Sequence, residues 1–210
     1  MFCSQAMADD YWPRSYFIEA GWGLAYSTGD LNNTTLKVKD TLDRDLSIYM
    51  PDLGLMTQPD LTIGANIWAF TLAANFTYWK SKAELSNYED HNMFNSRMWR
   101  FGIEFTYNLL YPENLQIGLG GGYSYANIKT QKSAMDSHGD AEEAEILGSS
   151  LALVANVRYF FTKNLILAPT FKIYGNWFKN AYAASTELQD VKPYLWQTFI
   201  FGAISFQYQF

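Results

Sequence analysis

Cysteine is nearly absent: Cys3 is the only one in 210 residues. A lone thiol excludes an intrachain disulfide and a cysteine-based metal cluster. Long apolar runs are missing as well. Leu151-Ala152-Leu153-Val154-Ala155 is typical of the best, far short of the roughly 18 residues of a membrane-crossing helix. Helical membrane insertion is therefore excluded on length. Positive charge is in short supply, with 15 Lys and Arg against 21 Asp and Glu and a net charge of -6. That removes the basic footprint of a nucleic-acid binder. The run Gly120-Gly121-Gly122 has no Gly-Lys partner and no helix pattern after it, so it is not a phosphate loop. No residue pattern calls for a cofactor or a metal.

Aromatics, by contrast, are abundant: 15 Tyr, 15 Phe and 7 Trp make up 18% of the chain, and hydrophobic residues 49%. The mean hydropathy is nevertheless -0.17. A chain rich in apolar residues yet free of apolar runs must alternate. The last stretch does so: Trp196, Thr198, Ile200, Gly202, Ile204, Phe206, Tyr208 and Phe210 form one row. Gln197, Phe199, Phe201, Ala203, Ser205, Gln207 and Gln209 form the other. Side chains alternate across a strand, so one face is greasy and the other largely polar.

The same period of two recurs along the chain. Tyr16 to Tyr26 puts Tyr16, Ile18, Ala20, Trp22, Leu24 and Tyr26 on one face. Leu61 to Trp68 follows, and Phe70 to Trp79 comes directly after it. Met98 to Leu109 carries Trp99, Phe101, Ile103, Phe105, Tyr107 and Leu109 outward. Then come Leu115 to about Ile128, Leu151 to Phe161, Leu165 to Trp177 and the closing stretch. The reversal at Trp68-Ala69-Phe70-Thr71 must be very tight and lacks the usual Gly or Asn-Gly. Pro169 cannot donate to a ladder and predicts an irregular pairing. Inward glycines at 118, 120 and 122 make room for larger neighbours.

Eight strands emerge, with connections that alternate long and short. Ser27 to about Asp60, Lys80 to Arg97, Lys129 to Ile146 and Phe178 to Pro193 read as long polar loops. Tyr111-Pro112-Glu113-Asn114 and Thr162-Lys163-Asn164 are turns. An even strand number, with short turns on one side and long loops on the other, predicts an all-β, eight-stranded, antiparallel, up-and-down transmembrane β-barrel. Aromatics at both strand ends fit two lipid–water interfaces. Closure of the last strand on the first removes the edges that lipid does not tolerate.

The first residues suggest export. Ala6-Met7-Ala8 has the small-x-small form of a signal-peptidase site, with cleavage before Asp9. Residues 1-8 are read as the remnant of a signal peptide shortened at its start, and 9-210 as a single barrel domain.

With these strands in place, the chain resembles the small eight-stranded outer-membrane barrels of the OmpA-transmembrane, OmpX and opacity-protein kind. The resemblance covers about residues 15 to 210. It rests on strand count, loop alternation and the terminal segment Ile204-Ser205-Phe206-Gln207-Tyr208-Gln209-Phe210. It implies a bacterial outer-membrane location with periplasmic termini and extracellular long loops. It also implies that Phe206, Tyr208 and Phe210 act as a C-terminal signal read by the outer-membrane assembly machinery. Lipopolysaccharide, outer-membrane lipids and an extracellular ligand at the loops are the implied partners, with nucleic acid excluded by charge.

Five ionisable residues within strands fall inward: Glu19, Arg100, Glu104, Arg158 and Lys172. Arg or Lys on the lipid face costs about 2–4 kcal/mol at midplane, and an eight-stranded barrel is just wide enough for side chains. The expectation is a lumenal ion-pair network that plugs the barrel, with Glu19, Glu104, Arg158 and Lys172 in one layer. The alternative is a narrow water path through the same groups, or a conduit for hydrophobic solutes. An enzyme is the lesser reading. Asp90-His91 and Asp136-Ser137-His138 are a weak echo of an omptin-like protease. Ser86 with His91, or Ser137 with His138, is the minimum for a lipid-modifying barrel. The acidic run Asp136, Asp140, Glu142, Glu143 and Glu145 lacks calcium-loop spacing. The function expected is a structural and surface-interaction protein, not an enzyme.

Overall fold

The computed structural model describes residues 14–32, 34–39, 42–50, 53, 55–84, 93–111, 114–135, 141–183 and 189–210. The proposed signal remnant, both histidines and the serines and aspartates beside them lie outside the described residues.

Among the described residues ten strands form, every pairing antiparallel. They are β1 (Ser15–Gly29), β2 (Thr35–Lys39), β3 (Asp45–Tyr49), β4 (Leu55–Ile67), β5 (Phe70–Glu84), β6 (Met93–Tyr111), β7 (Leu115–Met135), β8 (Ala141–Phe160), β9 (Leu165–Ala183) and β10 (Gln189–Gln209). Eight of them close into a barrel in the order β1-β4-β5-β6-β7-β8-β9-β10. Closure runs through a continuous ladder from Phe17 opposite Gln209 to Gly29 opposite Gln197. Phe210 adds two backbone bonds to Tyr16.

The predicted alternation is observed on every barrel strand. Trp22 and Ile204, opposite each other on β1 and β10, are 61% and 63% exposed, while Phe17 and Phe201 between such residues are fully buried. A closed sheet with a continuous band of large apolar side chains outward and most of its polar ones inward is inverted relative to a soluble protein, even though some aromatic residues also fill the interior. That inversion is what a hydrocarbon solvent selects. Ring contacts gather at both ends of the barrel. Tyr16–Phe210 (6.4 Å) and Phe70–Tyr107 (5.3 Å) lie near the short turns. Trp99–Tyr125 (5.6 Å) and Trp177–Trp196 (6.3 Å) lie toward the long loops.

The segments read as long loops are corrected in two ways. First, the barrel strands run on past the lipid band. β5 reaches Glu84, β6 starts at Met93, β7 extends to Met135, β8 starts at Ala141, β9 reaches Ala183 and β10 starts at Gln189. Above the bilayer, water faces the outside of the sheet, so no apolar period is required there and backbone pairing continues unmarked in the side chains. Second, the stretch from Ser27 to Asp60 holds the β2–β3 hairpin and the first half of β4. The hairpin pairs Thr35 to Lys39 with Tyr49 to Asp45. Its turn carries Asp43 at φ 62°, a conformation aspartate tolerates better than most residues.

The tight reversal between β4 and β5 is a two-residue turn, Trp68-Ala69, with Trp68 at φ 55°. A bulky residue there costs roughly 1–2 kcal/mol. Trp68 is exposed at the short-turn rim, a depth that favours Trp. Pro169 pairs with Ile204 on one side. On the other it sits in a gap of the β8–β9 ladder, between Asn156–Thr170 and Tyr159–Leu167, as its missing N–H requires.

Gly120 is the tightest of the inward glycines. A Cβ there would strike the Phe105 carbonyl and come within 2.7 Å of the Thr106 Cα, so the obstacle is backbone rather than a movable side chain. Gly118 instead faces the amides of Asn156 and Asn108. Gly120→Ala is expected to lower stability by about 1–3 kcal/mol, the usual range for overpacking, measured by urea unfolding in detergent. Unchanged stability would mean that β6 and β7 are not packed this closely.

Candidate functional site: a lumen filled at two levels

The lower lumen, toward the short turns, is polar. Lys172 on β9 is buried and its Nζ lies 2.7 Å from Glu104 Oε1 on β6 and 3.5 Å from Asp60 Oδ2 on β4. Asn75 on β5 donates to Asp60 Oδ1 at 2.6 Å and to Thr62 Oγ1 at 2.9 Å. One ammonium thus bridges two carboxylates from different strands across the barrel axis, and an amide fixes one of them. Charge-assisted bonds of this kind are strong where water is scarce.

Of the five expected charges, Glu104 and Lys172 come into direct contact. Among the described residues no carboxylate lies within ion-pair distance of Arg158. Its Nη1 donates to Thr71 Oγ1 at 3.0 Å, with Asn108 Oδ1 and Gln116 Oε1 at 3.4 Å. Phe17 lies 5.5 Å from its guanidinium carbon. Glu19 is buried and faces a cavity of about 20 Å³, lined also by Glu104, Arg158 and Lys172. That volume suits about one water. Arg100 stands apart, higher in the barrel. Its guanidinium stacks on Tyr174 at 3.7 Å, lies 5.1 Å and 5.4 Å from Trp79 and Phe199, and donates to Asn176 Oδ1 at 3.0 Å. Three aromatic faces stabilise this desolvated cation, each worth up to about 2 kcal/mol.

The upper lumen holds a large apolar cluster, which the sequence reading did not anticipate, beside buried polar groups such as Gln58 and Gln197. Met56, Trp79, Met98, Ile128, Ile146, Phe178 and Phe199 point inward from the barrel wall. Leu36, Val38, Leu46 and Ile48 of the β2–β3 hairpin, with Leu31, Met50 and Leu53 beside it, complete the same cluster. The hairpin joins the wall by two residue pairs, Ser47–Met135 and Ile48–Ala134. They fall just beyond the register shift that follows Thr130 in the β7–β8 ladder. The first connection therefore folds into the mouth and fills it with side chains.

Asp60 is the charged residue that sequence reasoning missed. The long polar segment read from Ser27 ends at about Asp60, yet Asp60 sits in β4 and is 3% exposed. The signal was available: running the alternation of Leu61 and Ile63 backward places Pro59 and Thr57 outward and Asp60 and Gln58 inward, as observed. Among the described residues no group of His, Cys, Asp and Glu is arranged to hold a metal ion.

No protein-family model and no curated protein matches the sequence. Solved structures do match in fold. Neisserial surface protein A is 13% identical, with a TM-score of 0.53 over 92% of this chain and 97% of that one. The attachment invasion locus protein Ail of Yersinia pestis, in complex with the heparin analogue sucrose octasulfate, is 11% identical, with a TM-score of 0.53 over 94% and 99%. A major outer membrane protein from Thermus thermophilus is 12% identical, with a TM-score of 0.51 over 94% and 99%. The chain is thus a closed eight-stranded β-barrel with the fold of these outer-membrane proteins. Its likeness to these proteins is one of fold.

Proposed function

We propose that this protein is a non-conducting, non-catalytic barrel of a Gram-negative outer membrane that presents its long-loop end at the cell surface. The observation that carries this reading is the double obstruction of the lumen. A buried Lys172–Glu104–Asp60 bridge crosses the lower part, and the β2–β3 hairpin fills the mouth. A wall so obstructed is a scaffold, and what remains accessible is the surface formed by the strand extensions and loops. In this reading the short turns and both chain ends are periplasmic, and lipopolysaccharide and an extracellular ligand meet the long-loop end. Phe206, Tyr208 and Phe210, each more than half exposed on β10 and at its end, form the row offered to the assembly machinery. Glu19, Arg100, Glu104, Arg158 and Lys172 serve to fill and rigidify the lumen.

Planar-bilayer recording tests this. The full-length protein is expected to give no steady conductance above the bare membrane. A stable open level in most insertions would replace the scaffold reading with the channel reading, for which the cavity beside Glu19 is the supporting feature. N-terminal sequencing of the exported protein is expected to begin at Asp9, and a retained Met1 would remove the signal-remnant reading.

A further inference from the structure

The backbone ladder between β4 and β5 stops early. It runs from Ile67 opposite Phe70 to Asp60 opposite Thr77, yet β4 continues upward to Leu55 and β5 to Glu84. Both upper stretches stay paired on their other sides, Pro59 to Leu55 with β1 and Tyr78 to Glu84 with β6. The break has a cause in Pro59. Tyr16 exchanges both backbone bonds with Phe210, and the β1 registers run on without a shift. Along β1 the residues of even number therefore bond toward β10 and those of odd number toward β4. Trp22, opposite Pro59, bonds away from β4, so the nitrogen of Pro59 faces β5. Proline has no N–H to give there. The break begins level with the Tyr78–Trp99 pair, where aromatic residues mark the upper interface.

Behind the break, inward side chains carry polar atoms without a partner. Gln58 leaves both amide atoms, Thr77 its hydroxyl, Trp79 its Nε1 and Arg100 its Nε without a hydrogen bond among the described residues. None of these residues is more than 2% exposed. They are neighbours. Thr77 stands opposite Arg100, the Arg100 guanidinium carbon lies 5.1 Å from the Trp79 ring, and the β4–β5 register, carried upward, sets Gln58 beside Trp79. Buried groups of this kind destabilise a fold unless something hydrogen-bonds them. The apolar cluster adjoins them directly: Met98 stands opposite Trp79, Phe199 lies 5.4 Å from its ring, and Met56 follows Gln58 on the same face of β4. Polar atoms bordered by apolar surface match a molecule of the same make. The charge of that molecule is fixed by balance. Among the described residues the lumen sets Glu19, Asp60 and Glu104 against Arg100, Arg158 and Lys172, so neither sign is in demand.

We propose that the break between β4 and β5 admits an uncharged single-chain amphiphile from the membrane interface, whose one hydroxyl or carbonyl is bound by Gln58 and Trp79 and whose chain lies against Met56, Met98 and Phe199. The wall parts most readily where no ladder has to be broken. The two methionines are unbranched and flexible, so they yield room for a chain. Gln58 supplies a donor and an acceptor, and the Trp79 indole a donor. Entry from the side leaves the Lys172 bridge below and the hairpin above in place. A barrel that binds in this way remains closed to ions, so the site goes beyond the scaffold reading without contradicting it.

The test uses the full-length protein in phosphatidylcholine vesicles and a medium-chain alcohol carrying a terminal diazirine, photolysed at set times after mixing and mapped by mass spectrometry. Label is expected on the inward residues Met56, Met98 and Phe199. Label confined to outward residues such as Leu61 and Phe76 would show a probe merely dissolved in lipid and would overturn the proposal. Gln58→Leu and Trp79→Phe each remove hydrogen-bonding capacity and are expected to lower inward labelling about fivefold, the usual worth of one such bond; full labelling of both variants would overturn the site. Gln58→Leu breaks no bond made within the protein, so its urea unfolding without probe is expected to show no loss of stability, which separates a lost ligand contact from a damaged fold. The sulfate ester of the same probe is expected to label the inward residues far less, and equal labelling would overturn the assignment of an uncharged ligand. Pro59→Val supplies the missing N–H toward β5 and is expected to slow inward labelling severalfold while leaving its final extent unchanged. An unchanged rate in that variant would overturn the break as the route of entry.

Discussion

Replacing Lys172 with methionine is expected to destabilise the barrel by about 3–5 kcal/mol, the usual penalty for removing one partner of a buried ion pair. The reason is what remains. Glu104 on β6 and Asp60 on β4, on either side of β5, converge on the ammonium that Lys172 sends across the lumen from β9. Without it, two carboxylates stand close together with little water to screen them. Glu104→Gln alone is expected to cost less, because Asp60 keeps both the ammonium and the Asn75 amide. The triple variant Lys172→Met, Glu104→Gln, Asp60→Asn should recover much of the loss, since replacing a whole buried ionic set by neutral groups is often close to neutral. Urea unfolding in lipid vesicles, followed by tryptophan fluorescence, gives all three values. A loss under about 1 kcal/mol for Lys172→Met would mean that the bridge is wet and unimportant, contrary to its burial.

The second large effect concerns the mouth. Ile48 is fully buried between the hairpin and the barrel wall. An ionised carboxylate in that cluster costs several kcal/mol, and the hairpin is tied to β7 by only two residue pairs. Ile48→Asp is therefore expected to release the hairpin while leaving the barrel closed, because none of the eight wall strands depends on β2 or β3 for its ladder to a neighbour. Limited proteolysis of the protein in vesicles should show rapid cleavage between residues 33 and 52 in the variant and slow cleavage in the unaltered protein. The heat-resistant folded band on a gel should persist in both. Ile48→Leu, which conserves volume, should behave as the unaltered protein. Resistance of Ile48→Asp to the protease would show that the hairpin is held by something other than this apolar contact.

The parts of the molecule legible in the sequence are those on which two solvents impose a period of two. Lipid outside and a packed polar lumen inside leave no freedom at Trp99, Phe101, Ile103, Phe105 and Tyr107 or at the residues between them, and those strands are found where the alternation places them. Inward facing was legible for the five charges for the same reason. Which of them touch was not, because contact across the lumen depends on tilt and shear. Arg100 and Glu104 lie on one strand and one face, yet Arg100 enters an aromatic box with Tyr174 while Glu104 meets Lys172. Strand extensions beyond the bilayer were illegible because water outside the sheet places no apolar demand on Lys80, Arg97 or Lys129. The hairpin is an intermediate case. Leu36 and Val38, then Leu46 and Ile48, do alternate, but each run is five residues long and set among polar neighbours. Strands that short become recognisable only when the surface they cover is known.

Closure of the sheet is the central claim, and engineered disulfides across the seam test it most directly. With Cys3 replaced by serine, cysteines at Trp22 and Ile204, which stand opposite on β1 and β10 and point outward together, should form an intramolecular bond in the folded, lipid-inserted protein. Cysteines at Trp22 and Ala203, whose side chains leave opposite faces of the wall, should not. Efficient cross-linking of the first pair and failure of the second is the result expected of a closed barrel in this register; no cross-link in the first pair, in protein that is otherwise folded, would contradict it.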